Sequence, residues 1–138
     1  MTSTLRTAAE LDNLTLIRHF VEERATALGA DPSVVPDLLL AVHEVTANIM
    51  LHGYQGQPGV IEIEIRRNGN GLMIRVRDEA PPFDPGVVPP PDLSLPLEKR
   101  PLGGLGIYMI GPLMDDVTHR VTPQGGNELI LVKRHAFK

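Results

Sequence analysis

Glu44, Asn48 and His52 stand four residues apart in a largely apolar stretch, and that spacing most restricts what this chain can fold into and do. Residues at i, i+4 and i+8 of an α-helix stack on one side, drifting about 40° around the axis per step. A carboxylate, a carboxamide and an imidazole therefore project in a row. Beside them Leu38, Val42, Val45 and Ile49 have the spacing of a core-facing stripe. A helix with a polar row flanking its buried face borders a pocket or a partner.

The flanking sequence reads as a succession of elements. Asp12 and Asn13 are placed to cap a first helix running to about Ala27, with Leu14, Ile17, Val21 and Ala25 at helical spacing and Gly29 closing it. Asp31 and Ser33 are the expected caps of the second helix, which tolerates Pro36 only in its first turn and runs to about His52 before Gly53. The period then changes. Val60, Ile61, Ile63 and Ile65 alternate with Glu62, Glu64 and Arg66, the pattern of a half-buried strand. Asn68-Gly69-Asn70-Gly71 is a hairpin turn, and Leu72, Ile74 and Val76 return toward Asp78. Residues 1–10 read as a frayed end or a short edge strand.

Eight of the chain's 13 prolines fall between residues 79 and 102, a density that excludes regular helix and central strand. This is a long loop, and such loops inside small domains commonly carry function. A third helix is expected from about Gly104 to Met114. Two closing strands follow, 117–122 and 128–134, joined at Pro123-Gln-Gly-Gly126. The whole reads as α+β: a mixed, mostly antiparallel sheet with helices on one face, a two-layer sandwich.

Composition narrows the function classes. At 138 residues the chain is read as a single domain over 1–138. Its net charge of -4 and lack of a basic tract argue against strong nonspecific nucleic-acid binding, which needs clustered Lys and Arg. Aromatics are 4% with no Trp, so a base-stacking surface is also unsupported. Cys is absent, which excludes disulfides, thiolate metal sites and a Cys nucleophile. No signal-like apolar core or spanning run is present, so a soluble, cytoplasmic protein without membrane contact is expected.

Taken singly, the motifs have ordinary explanations. Glu44 and Asn48 could be a solvated helix face, His52 a helix-end histidine favoured by the dipole, and Asp78 the cap of a turn. Gly103-Gly104-Leu105-Gly106-Ile107 could be a hinge or an amide-lined phosphate site. It is neither a Walker loop nor a dinucleotide fingerprint.

Their order is more specific. Glu44-x-x-x-Asn48-x-x-x-His52-Gly53-Tyr54, Arg77-Asp78-Glu79 and Gly104-Leu105-Gly106-Ile107 together resemble the boxes of the GHKL (Bergerat) ATP-binding superfamily, and Met114-Asp115-Asp116-Val117 adds to the likeness. Within it the chain is most similar to small stand-alone bacterial anti-sigma-factor serine/threonine kinases, over about residues 12 to 134. The resemblance implies an ATP- and Mg²⁺-dependent kinase that phosphorylates a STAS-domain anti-anti-sigma protein and sequesters a sigma factor. It also implies a homodimer. Asn48 would ligate Mg²⁺, Glu44 would be the general base, and Asp78 would accept from the adenine amino group. Gly104, Leu105 and Gly106 would meet the phosphates with His52 nearby, and residues 79–102 would form the ATP lid. Lys99 and Arg100, read from their position beside the glycines, would add positive charge. Two departures stand out. The second box reads Asp78-Glu79-Ala80-Pro81-Pro82 where the family has Asp-x-Gly-x-Gly, and Gly126-Asn127-Glu128 stands where many relatives have Gly-Thr. The first of these favours an alternative function: a nucleotide-responsive binding module with little or no kinase activity.

Overall fold

The structure is a computed structural model in which residues 2–81 and 113–137 are described. Strand β1 (Thr2–Ala8) is followed by a short 3-10 turn, Leu11–Asn13, helix α1 (Leu14–Leu28) and helix α2 (Val35–Asn48). Strands β2 (Val60–Asn68), β3 (Gly71–Asp78), β4 (Asp116–Val121) and β5 (Asn127–Lys133) complete the described elements. They form one sheet in the order β1-β2-β3-β5-β4. Every described pairing is antiparallel, so the mixed sheet of the sequence reading has no parallel pair among the described residues.

Alternation decides which face meets the helices. Ile61, Ile63 and Ile65 of β2 lie opposite Asp78, Val76 and Ile74 of β3, and Leu129 and Leu131 of β5 continue the same side. These aliphatic residues form one core cluster with Ile17, Val21 and Ala25 of α1 and Leu38, Val42 and Val45 of α2. The two-layer sandwich is therefore as expected, and the apolar stripe of α2 is its buried face.

The opposite face of the sheet is a ladder of charge. Arg6 on β1 pairs with Glu62 on β2, which pairs with Arg77 on β3. Arg77 and Arg120 both donate to Glu128 on β5, at 2.7 and 2.9 Å, and Glu128 is only 2% exposed. A buried carboxylate of this kind needs paired, hydrogen-bonding cations. Arg120 first, then Arg77, holds the Glu128 carboxyl below the usual glutamate range.

Several local expectations are corrected. Asn13 does not cap α1; its side-chain amide donates instead to the carbonyl of Ala8 and ties β1 to the helix start. Asp12 lies in the 3-10 turn and makes no capping hydrogen bond either. Asp31 accepts from the Ser33 amide in a turn before α2, whose own N-cap is Val34 with no side-chain cap bond. Pro36 does sit in the first turn, and Gly29 closes α1 in the left-handed region at φ 93°. The hairpin turns at Gly69, the one of its two central residues with positive φ. That pattern fits a type II′ turn. The Pro-rich segment from Pro82 onward, and the expected third helix up to Pro112, lie outside the described residues.

Candidate functional site

Helix α2 ends one turn earlier than its sequence suggests. Ile49–Gly53 forms a π-helical turn, closed by the Tyr54 amide on the carbonyl of Ile49 at 2.8 Å. Such turns hold more residues per revolution than an α-helix and recur at functional sites. Glu44 and Asn48 therefore keep their α-helical row, both half-buried, whereas His52 lies beyond it, exposed on the π-turn. The row of three is corrected to a pair plus a displaced imidazole.

Tyr54, at the end of that turn, ties the first box to the second. Its hydroxyl donates to the carbonyl of Val60 at 2.6 Å and accepts from the amides of Val60 at 3.2 Å and Glu79 at 2.7 Å. One donor and two acceptor positions are thus filled, the full capacity of a phenol oxygen. The ring lies so close to Gly59 that a Cβ there would come within 2.2 Å of it. Gly53 meets Ala80 in the same corner, where a Cβ on Gly53 would be 3.3 Å from that of Ala80. The stretch after Asn48 and the stretch after Asp78 are thereby held against each other.

Asp78 ends β3 on the helix side of the sheet and is 6% exposed. Its Oδ1 accepts from the Ala80 amide at 2.9 Å and from Asn127 Nδ2 at 3.0 Å. Burial pushes its carboxyl above the ordinary aspartate value, against the lowering effects of Asn127, Ala80 and His119. A buried carboxylate whose proton affinity is raised and which sits in a hydrogen-bonded corner marks a candidate site. Asn127, 1% exposed, also donates to the carbonyls of Ala80 at 3.3 Å and Pro81 at 3.1 Å, while its Oδ1 lies 2.8 Å from His119 Nε2. Gly126 admits this closeness: a Cβ on it would come within 2.1 Å of the Asp78 carbonyl oxygen.

A cleft of about 360 Å³ also adjoins Asp78, but it is walled by Arg6, Glu62 and Arg77 on the outer side of the sheet. Glu44 and Asn48 belong to the helix layer on the other side. Among the described residues no three His, Cys, Asp or Glu side chains gather into a metal site. Arg100, Gly104, Leu105 and Gly106 lie outside the described residues. Tyr54, Asn127 and His119 were not assigned by sequence reasoning. Tyr54 was visible as part of the first box, but the partners of its hydroxyl are long-range, and nothing in one sequence pairs Asn127 with Asp78.

Comparison with known proteins gives this geometry a context. Residues 7–133 match the model of the histidine kinase-like ATPase domain. Proteins named serine-protein kinase RsbW from Bacillus cereus and Bacillus anthracis are each 32% identical over 117 residues, covering 82% of this chain and 73% of theirs. The crystal structure of the RsbU and RsbW domains of a Mycobacterium tuberculosis protein superposes with a TM-score of 0.68 at 18% identity. That match covers 97% of this chain but 32% of the other. The SiaB–SiaC complex from Pseudomonas aeruginosa gives a TM-score of 0.58 at 16% identity, over 95% of this chain and 88% of that one. These two share the fold.

Proposed function

The chain belongs to the histidine kinase-like ATPase family, and from that premise we propose that it is an ATP- and Mg²⁺-dependent protein serine/threonine kinase and anti-sigma factor. It phosphorylates a STAS-domain anti-anti-sigma protein, sequesters a sigma factor, and works as a cytoplasmic homodimer. No helix among the described residues is long and apolar enough to cross a membrane. The observation that carries the reading is the corner made by Tyr54, which fastens the end of the Glu44–Asn48 helix to the Glu79 backbone amide, next to the buried Asp78.

The residues present fit the nucleotide. A buried, ionised carboxylate accepts hydrogen bonds and cannot donate, so Asp78 suits an exocyclic amino group such as that of adenine. Asn48 offers a neutral carbonyl oxygen, a ligand type that hard cations take. With no protein-only ligand cluster among the described residues, the donor set suits an ion that keeps phosphate and water ligands, as Mg²⁺ commonly does. Mg²⁺, when bound, neutralises charge on the phosphates and orients them.

Glu44, one turn before Asn48, is the general base that takes the proton from an incoming serine hydroxyl. By the family resemblance Gly104, Leu105 and Gly106 would bring amides to the phosphates with His52 near that end, and Arg100 would add positive charge where electrostatics carry most of the catalysis. The domain spans 1–138, with 79–102 as its lid. The test is label transfer from γ-phosphate-labelled ATP to a STAS-domain protein, run beside a sigma-factor binding assay. Labelled partner serine with sigma binding supports the proposal. Sigma binding without any transfer would leave only the nucleotide-responsive binding module.

A further inference from the structure

Asp78 does not hold its orientation alone. The amide of Asn127 has two N–H groups and, among the described residues, three acceptors in reach: Asp78 Oδ1, and the carbonyls of Ala80 and Pro81. With its nitrogen committed to those oxygens, its own Oδ1 faces His119 Nε2 at 2.8 Å and can only accept. The network thus fixes His119 as the donor, through Nε2–H. His119 lies on β4, diagonal to Asn127, which pairs with Asp78 across β3 and β5. The relay therefore runs across three strands, from the sheet edge to the carboxylate and to the two carbonyls that follow it.

Resting on the nucleotide reading above, we propose that Asn127, oriented by His119, aims Asp78 and so sets how strictly the pocket demands a purine 6-amino group. A carboxylate reads an amino group only while it is ionised and points its free lone pairs at the ligand. Protonated, it presents an O–H that donates to a 6-oxo purine instead; rotated, it aims its lone pairs away from the amino group. Asn127 opposes both changes by donating to Oδ1. The same amide holds Ala80 and Pro81, so the backbone beside the carboxylate is set by the same side chain. Asn127 and His119 are positioning residues that act through Asp78. Sites that hydrogen-bond a ligand group discriminate strongly because the wrong ligand leaves buried polar atoms unpaired.

The test is calorimetric titration of the full chain with Mg-ATP and with Mg-ITP, whose base carries a 6-oxo group. The wild type is expected to favour ATP by about 100-fold or more, on the scale of hydrogen-bond-based discrimination. Asn127→Leu and His119→Phe are each expected to lower that ratio at least tenfold, while His119→Gln, which keeps an N–H donor, restores most of it. Because Asn127 is buried and its variant can fail to fold, the two His119 variants decide the matter alone. A ratio within about twofold of wild type in folded His119→Phe overturns the relay while leaving the kinase reading intact. A wild type that binds neither nucleotide overturns both.

Discussion

Removing one oxygen atom from Tyr54 tests the corner that joins the two boxes. Tyr54→Phe keeps the ring against Gly59 and opens no cavity, so its effect is confined to three hydrogen bonds, at 2.6, 2.7 and 3.2 Å. Each neutral bond contributes about 0.5–1.5 kcal/mol net. The Glu79 amide lies at an exposed residue where water can replace the hydroxyl, while Val60 is half-buried and leaves a donor and an acceptor poorly served. A loss of roughly 2 kcal/mol follows. In a domain of this size that lowers Tm by about 6–8 °C. Thermal melts by circular dichroism read the shift, and Mg-ATP titration should show weaker binding because the backbone after Asp78 is released. A Tm within about 1 °C of wild type with unchanged nucleotide affinity would refute the view that this hydroxyl ties the site together.

Three further outcomes follow from the same contacts. Asp78→Asn keeps an Oδ1 acceptor for Ala80 and Asn127 but removes a buried charge, so the nucleotide-free variant should melt higher than wild type at pH 7 and lose Mg-ATP binding. Because burial raises the Asp78 carboxyl above its unfolded value, its ionisation costs stability above the folded value; the melting difference should shrink as pH falls through it. Glu128 has the opposite sign: Arg120 and Arg77 hold it below 4.5, so its contribution is present above 4.5 and lost as pH falls through the folded value. Glu128→Gln should cost about 1–2 kcal/mol in urea melts at pH 7, at the low end for charged hydrogen bonds because solvent screens its arginines, and the gap should close in acid. Gly126→Ala places a Cβ 2.1 Å from the Asp78 carbonyl and should cost about 1–3 kcal/mol in the same melts.

The layers were legible because local patterns agreed with one another. Ile61, Ile63 and Ile65 alternate as a one-faced strand must, Gly69 supplies the positive φ of the hairpin, and Leu38, Val42 and Val45 mark the buried side of α2. What escaped depends on distant partners. Asn13 looks like a helix cap until the carbonyl of Ala8 competes for its amide. Glu128 reads as the polar half of an alternating strand, and only Arg77 and Arg120 on the neighbouring strands bury it. The π-turn at Ile49–Gly53 has no period signal of its own, since a single wide turn leaves the flanking α-helical spacing intact. Asn127 stands out in the sequence only as a departure from the family pattern, and the structure joins its side chain directly to Asp78.

The central claim is that Glu44 does chemistry while Asn48 and Asp78 hold the nucleotide. Single-turnover transfer from Mg-ATP to a STAS-domain partner, measured for wild type and Glu44→Gln beside calorimetric Mg-ATP affinity, tests it most directly. The account predicts affinity within about threefold and a transfer rate lowered by about 100-fold or more, the scale of a lost general base. Transfer at the wild-type rate by Glu44→Gln would contradict it.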